Sequence, residues 1–467
     1  MLRVAVALES AGIPAVAICA EAFAPLGRAI AVSSGAADLP IAEYPGPGLI
    51  LTDTPQTFER KVRDAVVPTV VEALLGAHPT GAEPPKSAAA SREPMDGDEP
   101  SPRSVVYSGS IEEVNDYFEQ QGWSDGLPVL PPVQRSVDLF LSYTDRDPGE
   151  VIGVLPPENR EATVWNCAVN GLMAGCEPRY MPVLLAIVEA LCDPLFRIYE
   201  AGSTPGWEPL VTVSGPVVDE FEFNGGTGVM RVGRRPNATI GRFVRLYMRN
   251  VAGLRQSPFV TDQAGIGQSF NVVLAESQTS VQESGWPSVR LSLGYGPADS
   301  IVSVQSVRSI TPPIYSSGSE PIDHLASILS VLKGTLQSSA HLAYKYGGRQ
   351  YPLLVMSPAV TRIFADSGWS REQVQGYVAD NALMPLDDLE QYLHVAGTTG
   401  VSIEQRARSM GLTLKSENGR VLAPMIVDQS SILIVAAGNP GRNQSKGYLD
   451  NGPQGSRIVR RIHMNAT

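Results

Sequence analysis

The run RYMPVLLAIVEALC (179–192), followed by LVTVSG (210–215), decides the fold. The first is a long apolar run that begins beside a proline and reads as a buried helix. The second is short, rich in β-branched residues and stops at a glycine, as a strand does. Upstream, ATVWNCAVNGLMAG (162–175) reads as another helix, joined to the first at Cys176-Glu177-Pro178. Downstream, FNVVLAE (270–276), SVRLSL (288–293), SIVSVQSV (300–307), YPLLVMS (351–357) and SILIVAAG (431–438) read as further strands. Strands interleaved with helices predict an α/β fold, mixed α/β with α+β as its variant in the large domain.

Three segments follow. Residues 1–76 read as helix, strand, helix, short strand, helix, which is α/β material but an incomplete domain. Residues 77–104 hold six prolines and few large apolar side chains, so they are predicted to be a flexible linker. Residues 105–467 form the large α/β domain, with two subdomains as an alternative. Its first helix opens at the capping box Ser110-Ile111-Glu112-Glu113, and DGLPVLPP (125–132) must be loop because its prolines lack backbone donors.

The chain has 467 residues, 43% hydrophobic and 18% charged, with a formal charge of -12. That balance fits packed globular structure and excludes nucleic acid, whose phosphates attract a basic surface. Cys19, Cys167, Cys176 and Cys192 show neither zinc spacing nor disulfide density, which points to a reducing cytosol. Glu9, Gly12 and Pro14 interrupt the apolar N-terminal run, so it is not read as a signal peptide, and no segment is long enough to span a membrane. The Asn237-Ala238-Thr239 sequon is accordingly read as chance.

Candidate chemistry lies in three places. NGGTGVMRVGRRPN (224–237) sets Asn224, Arg231, Arg234, Arg235 and Asn237 among glycines ahead of a helix N-terminus, which suits either an anion cradle or a tight turn. In the helix that follows, Ile240, Phe243, Val244, Tyr247 and Val251 make one apolar stripe. Arg242, Arg245 and Arg249 fall on the opposite side and are predicted to be solvated or to face another subunit, which leaves a homo-oligomer as an expectation.

The second place is the junction Cys176-Glu177-Pro178-Arg179. A thiol near a helix N-terminus has its pKa lowered there, unless Cys176 is merely a packed side chain. Glu177 is a candidate acid or base, or a first-turn carboxylate favouring the helix. The third is Trp123-Ser124-Asp125 on a proline-stiffened loop, lining a site or packed under a turn. AGNPGR (437–442), which ends in Arg442, could form another anion nest after its strand. No histidine occurs between 79 and 323, which disfavours a Ser-His-Asp triad or a multi-histidine metal site. The residues specify no cofactor.

Residues 7–76, with ALESAGIPAVAICAEAFAPLGRA and DLPIAEYP, resemble the C-terminal part of the UGSC family of selenocysteine- or cysteine-containing bacterial proteins. Members carry a (Sec/Cys)-Gly-Ser-Cys motif before the equivalent of ALESAGIP. This chain has no such motif there, so the family's redox centre carries over to no residue. The expectation is a degenerate remnant or a gene model begun too late.

Residues 110–467 resemble a large bacterial family often encoded beside or fused to UGSC proteins. The resemblance is carried by GWSDGLPVLPP (122–132), MAGCEPRYMPVLLAIVEAL (173–191), RPNATIGRFVRL (235–246), the SP…DSGWS run (357–370) and AAGNPGR (436–442). That family has a Thr-His-Pro segment before the strand near 210, where this chain has Ser203-Thr204-Pro205-Gly206-Trp207. The resemblances imply an enzyme of small-molecule or secondary metabolism, an oxidoreductase or lyase acting on a small anion by thiol-linked redox or carbon–heteroatom chemistry. Cys176, Glu177 and Asp125 are then the catalytic candidates, and Trp123, Arg179, Asn224, Arg231, Arg234, Arg235, Asn237 and Arg442 the binding ones. The rival expectation is a non-catalytic binding or assembly subunit that has lost the redox motif.

Overall fold

A computed structural model describes residues 5–6, 8–9, 11–33, 35–46, 55–75, 103–256, 262–346, 350–395, 402–450 and 454–464. Nearly all of the predicted linker, 77–104, lies outside the described residues. The chain divides into one unit of Met1–Ser104 with Glu390–Arg406, and a larger one of Val105–Leu389 with Ala407–Thr467. The architecture is mixed α/β.

In the smaller unit Ala17–Ala20 pairs in parallel with Ile41–Tyr44, and helix Ala24–Ser33 makes the crossover between them. Parallel strands need such a crossover. Ala15, Ala17, Ala31 and Leu39 form one small core, and Ala42, Tyr44 and Val66 another.

Besides a two-stranded sheet (Val151–Leu155 with Arg160–Thr163) and a three-stranded one (Leu383–Pro385, Arg420–Pro424 and Lys415–Glu417), the described residues of the larger unit form two main sheets, whose strands are numbered here in chain order: β1 (Glu208–Ser214), β2 (Leu274–Ala275), β3 (Ile301–Val307), β4 (Ser309–Ile310), β5 (Ile314–Tyr315), β6 (Leu353–Met356), β7 (Leu433–Ala436), β8 (Gln444–Leu449) and β9 (Ile458–Arg461). The first sheet has the order β9-β3-β1-β2, and the second β7-β6-β8-β4 with β5 also on β8. Only Arg308 separates β3 from β4, so one nearly continuous stretch passes from sheet to sheet. Every residue of β1 and β3 is buried, because both faces of the first sheet are covered. The polar members of these strands, Glu208, Thr212, Ser214, Ser303, Gln305 and Ser306, are therefore buried along with the apolar ones.

The helices that matter are α1 (Ile111–Gln120), α2 (Val164–Met173), α3 (Met181–Leu191) and α4 (Arg235–Tyr247). The predicted capping box is present, Ser110 accepting from the Glu113 amide while the Glu113 carboxylate accepts from the Ser110 amide. Thr163 and Asn166 make the same exchange at α2. Ten of the eleven α3 residues are buried, and the helix packs on β3 and β9. The stripe of α4 is buried as predicted, with Ile240, Phe243 and Tyr247 fully inside. Gly241 lets this helix sit directly on a strand-like segment: a Cβ there would lie 2.5 Å from the Asn271 carbonyl carbon and the Val272 nitrogen. Backbone cannot yield as a side chain can, so Gly241→Ala is expected to cost about 1–3 kcal/mol. The urea midpoint, with unchanged slope, checks this.

Two strand predictions fail. SVRLSL contains a short helix, Val289–Ser292, because the Val289 amide is held by the Glu276 carboxylate and the Arg290 amide by the Ser214 hydroxyl. FNVVLAE shrinks to Leu274–Ala275, the two residues that find partners, Thr212 and Val213, on β1. Among the described residues no helix is long and apolar enough to cross a membrane.

Candidate functional site

The three predicted clusters converge on α4. Glu177 accepts from Arg179 Nε at 2.8 Å and from Arg235 Nη1 at 3.2 Å, and Arg235 Nε also reaches the Gly175 carbonyl at 3.2 Å. Arg179 lies over the Tyr180 and Phe221 rings. The 122–128 loop lies along the arginine side of α4. Arg242 makes a two-pronged pair with Asp125 at 2.8 and 3.0 Å and donates to the Leu127 and Pro128 carbonyls. Arg249 Nε donates to the Gly122 carbonyl at 2.8 Å, and Asn250 to that of Trp123 at 3.0 Å. Trp123 itself packs edge-on to Tyr117 and Phe118, under the turn.

The expected solvated face of α4 is therefore corrected. Arg242, Arg245 and Arg249 are each committed to an acceptor, because a loop and a strand cover the helix on the side opposite its apolar stripe. Periodicity reveals which side of a helix is apolar, and it says nothing about what polar chain packs on the other.

The 224–237 loop holds itself together. Asn237 is fully buried, its amide oxygen accepting from the Asn224 amide and its nitrogen donating to the carbonyls of Asn224 and Val273. The Asn224 side chain in turn accepts from the Gly226 amide at 2.9 Å. The Gly438 amide of the AGNPGR turn donates to the Gly225 carbonyl at 2.9 Å, so two glycine-rich stretches distant in sequence meet. Their donors serve the turn geometry. Arg231, Arg234 and Arg442 are exposed, and their guanidinium groups have no partner among the described residues.

The expectation of an acidic thiol is reversed. Cys176 is 2% exposed, and burial pushes its thiol up to about 12 despite the opposing Thr239 hydrogen bond and the charges of Arg235 and Arg242. A helix terminus acts over one turn, and loss of water outweighs it here. Burial raises Cys19, Cys167 and Cys192 as well. Under native conditions at neutral pH a thiol-specific reagent is expected to leave Cys176 unmodified, and labelling as fast as that of an unfolded control would contradict this.

One concave site was missed by the sequence reading. A cavity of about 320 Å³ is lined by Trp207, Glu208, Arg245, Met248, Asp262 and Gln268, among others. Glu208 opens β1 with its side chain 3% exposed, and it accepts from Arg245 of α4 at 3.1 Å. Burial raises its carboxyl to about 7, Arg245 opposing and Asp262 reinforcing the shift. Trp207 stands edge-on to Phe196, and its buried Nε1 has no hydrogen-bond partner among the described residues. Gly206, at φ +60°, lets the 264–267 turn close the wall: a Cβ would meet that of Ala264 at 2.6 Å. The pair of Glu208 and Arg245 joins residues 37 positions apart, beyond any local pattern.

Residues 1–76 match the UGSC family model, which makes the N-terminal region UGSC-like. No curated protein and no solved structure matches the chain.

Proposed function

We propose that the larger unit is an enzyme of small-molecule metabolism that binds a small anion in the Glu208 cavity and moves a proton on it. The observation that carries this reading is a buried carboxyl beside a single guanidinium in an open cavity. A volume near 320 Å³ is at the low end for ligand pockets and suits a small metabolite. With its carboxyl near 7, Glu208 can hold or release a proton at neutral pH, as general acid–base catalysis requires. When Glu208 is protonated, Arg245 no longer has a counter-charge and becomes an anchor for a carboxylate. The step fits carbon–heteroatom bond making or breaking. Thiol redox chemistry finds no support in this unit, where burial raises all three cysteines. Free cysteines throughout favour a reducing compartment such as the cytosol.

Binding of small carboxylates such as acetate, pyruvate or succinate tests the reading by calorimetry. Affinity is expected to fall about tenfold per pH unit above neutrality, because each bound anion draws one proton onto Glu208. Affinity that ignores pH between 6 and 9 sinks the idea. The second reading, a binding or assembly subunit, is supported by the internal pairing of Glu177, Asp125 and Asn237. Ligand binding with the expected pH dependence but no turnover would favour it.

A further inference from the structure

The Glu208 cavity draws one charged side chain from each of three parts of the chain. Glu208 comes from the start of β1 and Arg245 from α4, and the two are paired at 3.1 Å. The third is Asp262, which lies between α4 and β2 in the sequence. Its amide donates to the Arg255 carbonyl at 2.9 Å. The Gln263 amide donates to the Gly202 carbonyl at 2.8 Å and the Gly265 amide to that of Thr204 at 3.1 Å, which fastens the stretch to the turn leading into β1. The Asp262 carboxylate accepts from the Ala264 amide at 3.0 Å, within its own turn. Among the described residues it has no cation partner, since the Arg255 guanidinium pairs with Glu158 at 2.8 Å and Arg245 with Glu208.

Once Glu208 holds its proton, the cavity wall carries one positive charge, on Arg245, and one negative charge, on Asp262. A carboxylate bound to Arg245 satisfies the first and leaves Asp262 facing an anion. Repulsion in a concave site is screened less than in open water, so that arrangement is costly. Asp262 already acts in this sense on Glu208, adding to the rise of its carboxyl. A ligand that carries an ammonium group as well as a carboxylate balances both charges. A hydroxyl also donates to a carboxylate, but it is neutral and leaves the charge in place. Ala201, Trp207, Met248 and Leu254 give the same cavity apolar wall, which suits a short carbon skeleton between two charged ends.

We propose that the ligand of the Glu208 cavity is a small amino acid in its zwitterionic form, its carboxylate on Arg245 and its ammonium group on Asp262. This rests on the reading of the cavity as a carboxylate site and adds the second charge. Hydrogen bonds between ionised groups are the stronger polar contacts, and a ligand without the amine leaves a carboxylate unpaired. Asp262 is then a specificity-determining residue, apart from the proton transfer assigned to Glu208.

Calorimetry of the full chain at neutral pH tests it with glycine, β-alanine and γ-aminobutyrate, each beside the acids of equal length that bear hydrogen or hydroxyl in place of the amine. At least one amino acid is expected to bind about tenfold or more tighter than both of its partners. Asp262→Asn keeps an acceptor for the Ala264 amide and removes the charge, and it should abolish that preference. The preference within one variant is the measure, because losing the Asp262 charge also lowers the Glu208 carboxyl and weakens every carboxylate alike. No preference for any of the three amino acids in native protein overturns the proposal, as does a preference that Asp262→Asn leaves intact. In both cases carboxylate affinity that still falls with rising pH keeps the Glu208 reading standing, so the two failures are told apart. Absence of any carboxylate binding overturns both. Should Asp262→Asn not fold, Asp262→Ser, whose hydroxyl also accepts from an amide, takes its place under the same criterion.

Discussion

Glu208→Gln is expected to lower turnover on the cavity's substrate by about 10²- to 10⁴-fold, the range that positioned acid–base groups contribute. The substitution keeps shape and volume while removing the proton. Anion binding should survive it, because a neutral amide leaves Arg245 free at every pH, and the pH dependence of affinity should vanish. Binding and turnover therefore separate in this variant, as a purely structural role for Glu208 would not allow. Stability gives an independent readout. The folded carboxyl titrates at about 7 against an ordinary value of 4.5, so between these values the folded chain holds a proton that the unfolded chain has released. Glu208's contribution is thus fully present below pH 4.5 and is lost as pH rises through 7. At about 1.4 kcal/mol per pH unit, native protein should lose roughly 3 kcal/mol relative to Glu208→Gln across that window. Parallel stability curves for the two proteins would count against the assignment.

The second large effect concerns the region where the two sheets meet. Glu276 and Arg371 are 0% and 1% exposed, with 3.7 Å between charged atoms. Glu276 follows β2 and accepts from the Ser214 hydroxyl at 2.6 Å and from the Val289 amide at 2.9 Å. Arg371 donates to the carbonyls of Ile434 on β7 and Pro287. The pair therefore links the ends of β1 and β2 in one sheet to β7 in the other. Arg371→Met leaves Glu276 buried without its counter-charge and is expected to cost about 3–5 kcal/mol in urea unfolding. The double variant Glu276→Gln with Arg371→Met should recover part of that loss, since two neutral groups remove the stranded charge. A loss below about 1 kcal/mol in the single variant would show the pair to be dispensable.

What could be read in the sequence was local. The α4 stripe, the Ser110 capping box and the buried strands β1 and β3 each follow from periodicity or from residues a few positions apart. The parts that could not be read depend on distant partners. SVRLSL has strand-like residues, yet Glu276 and Ser214 hold its backbone as a helical turn. The arginines of α4 looked solvated because Asp125 and Glu208, which neutralise Arg242 and Arg245, lie 117 and 37 positions away. Cys176 looked activated because a helix start is visible in sequence, whereas the burial that overrides it is not. In each case contacts with residues distant in sequence overrode the short-range signal.

The central claim is that Glu208 titrates near neutrality in a working cavity. Carbon-13 NMR of protein labelled at the Glu side-chain carboxyl, with Glu208→Gln identifying the resonance, measures this directly. A midpoint near 7 that moves upward when a small carboxylate is added is the expected result. A midpoint at the ordinary value of 4.5, indifferent to the ligand, would contradict it.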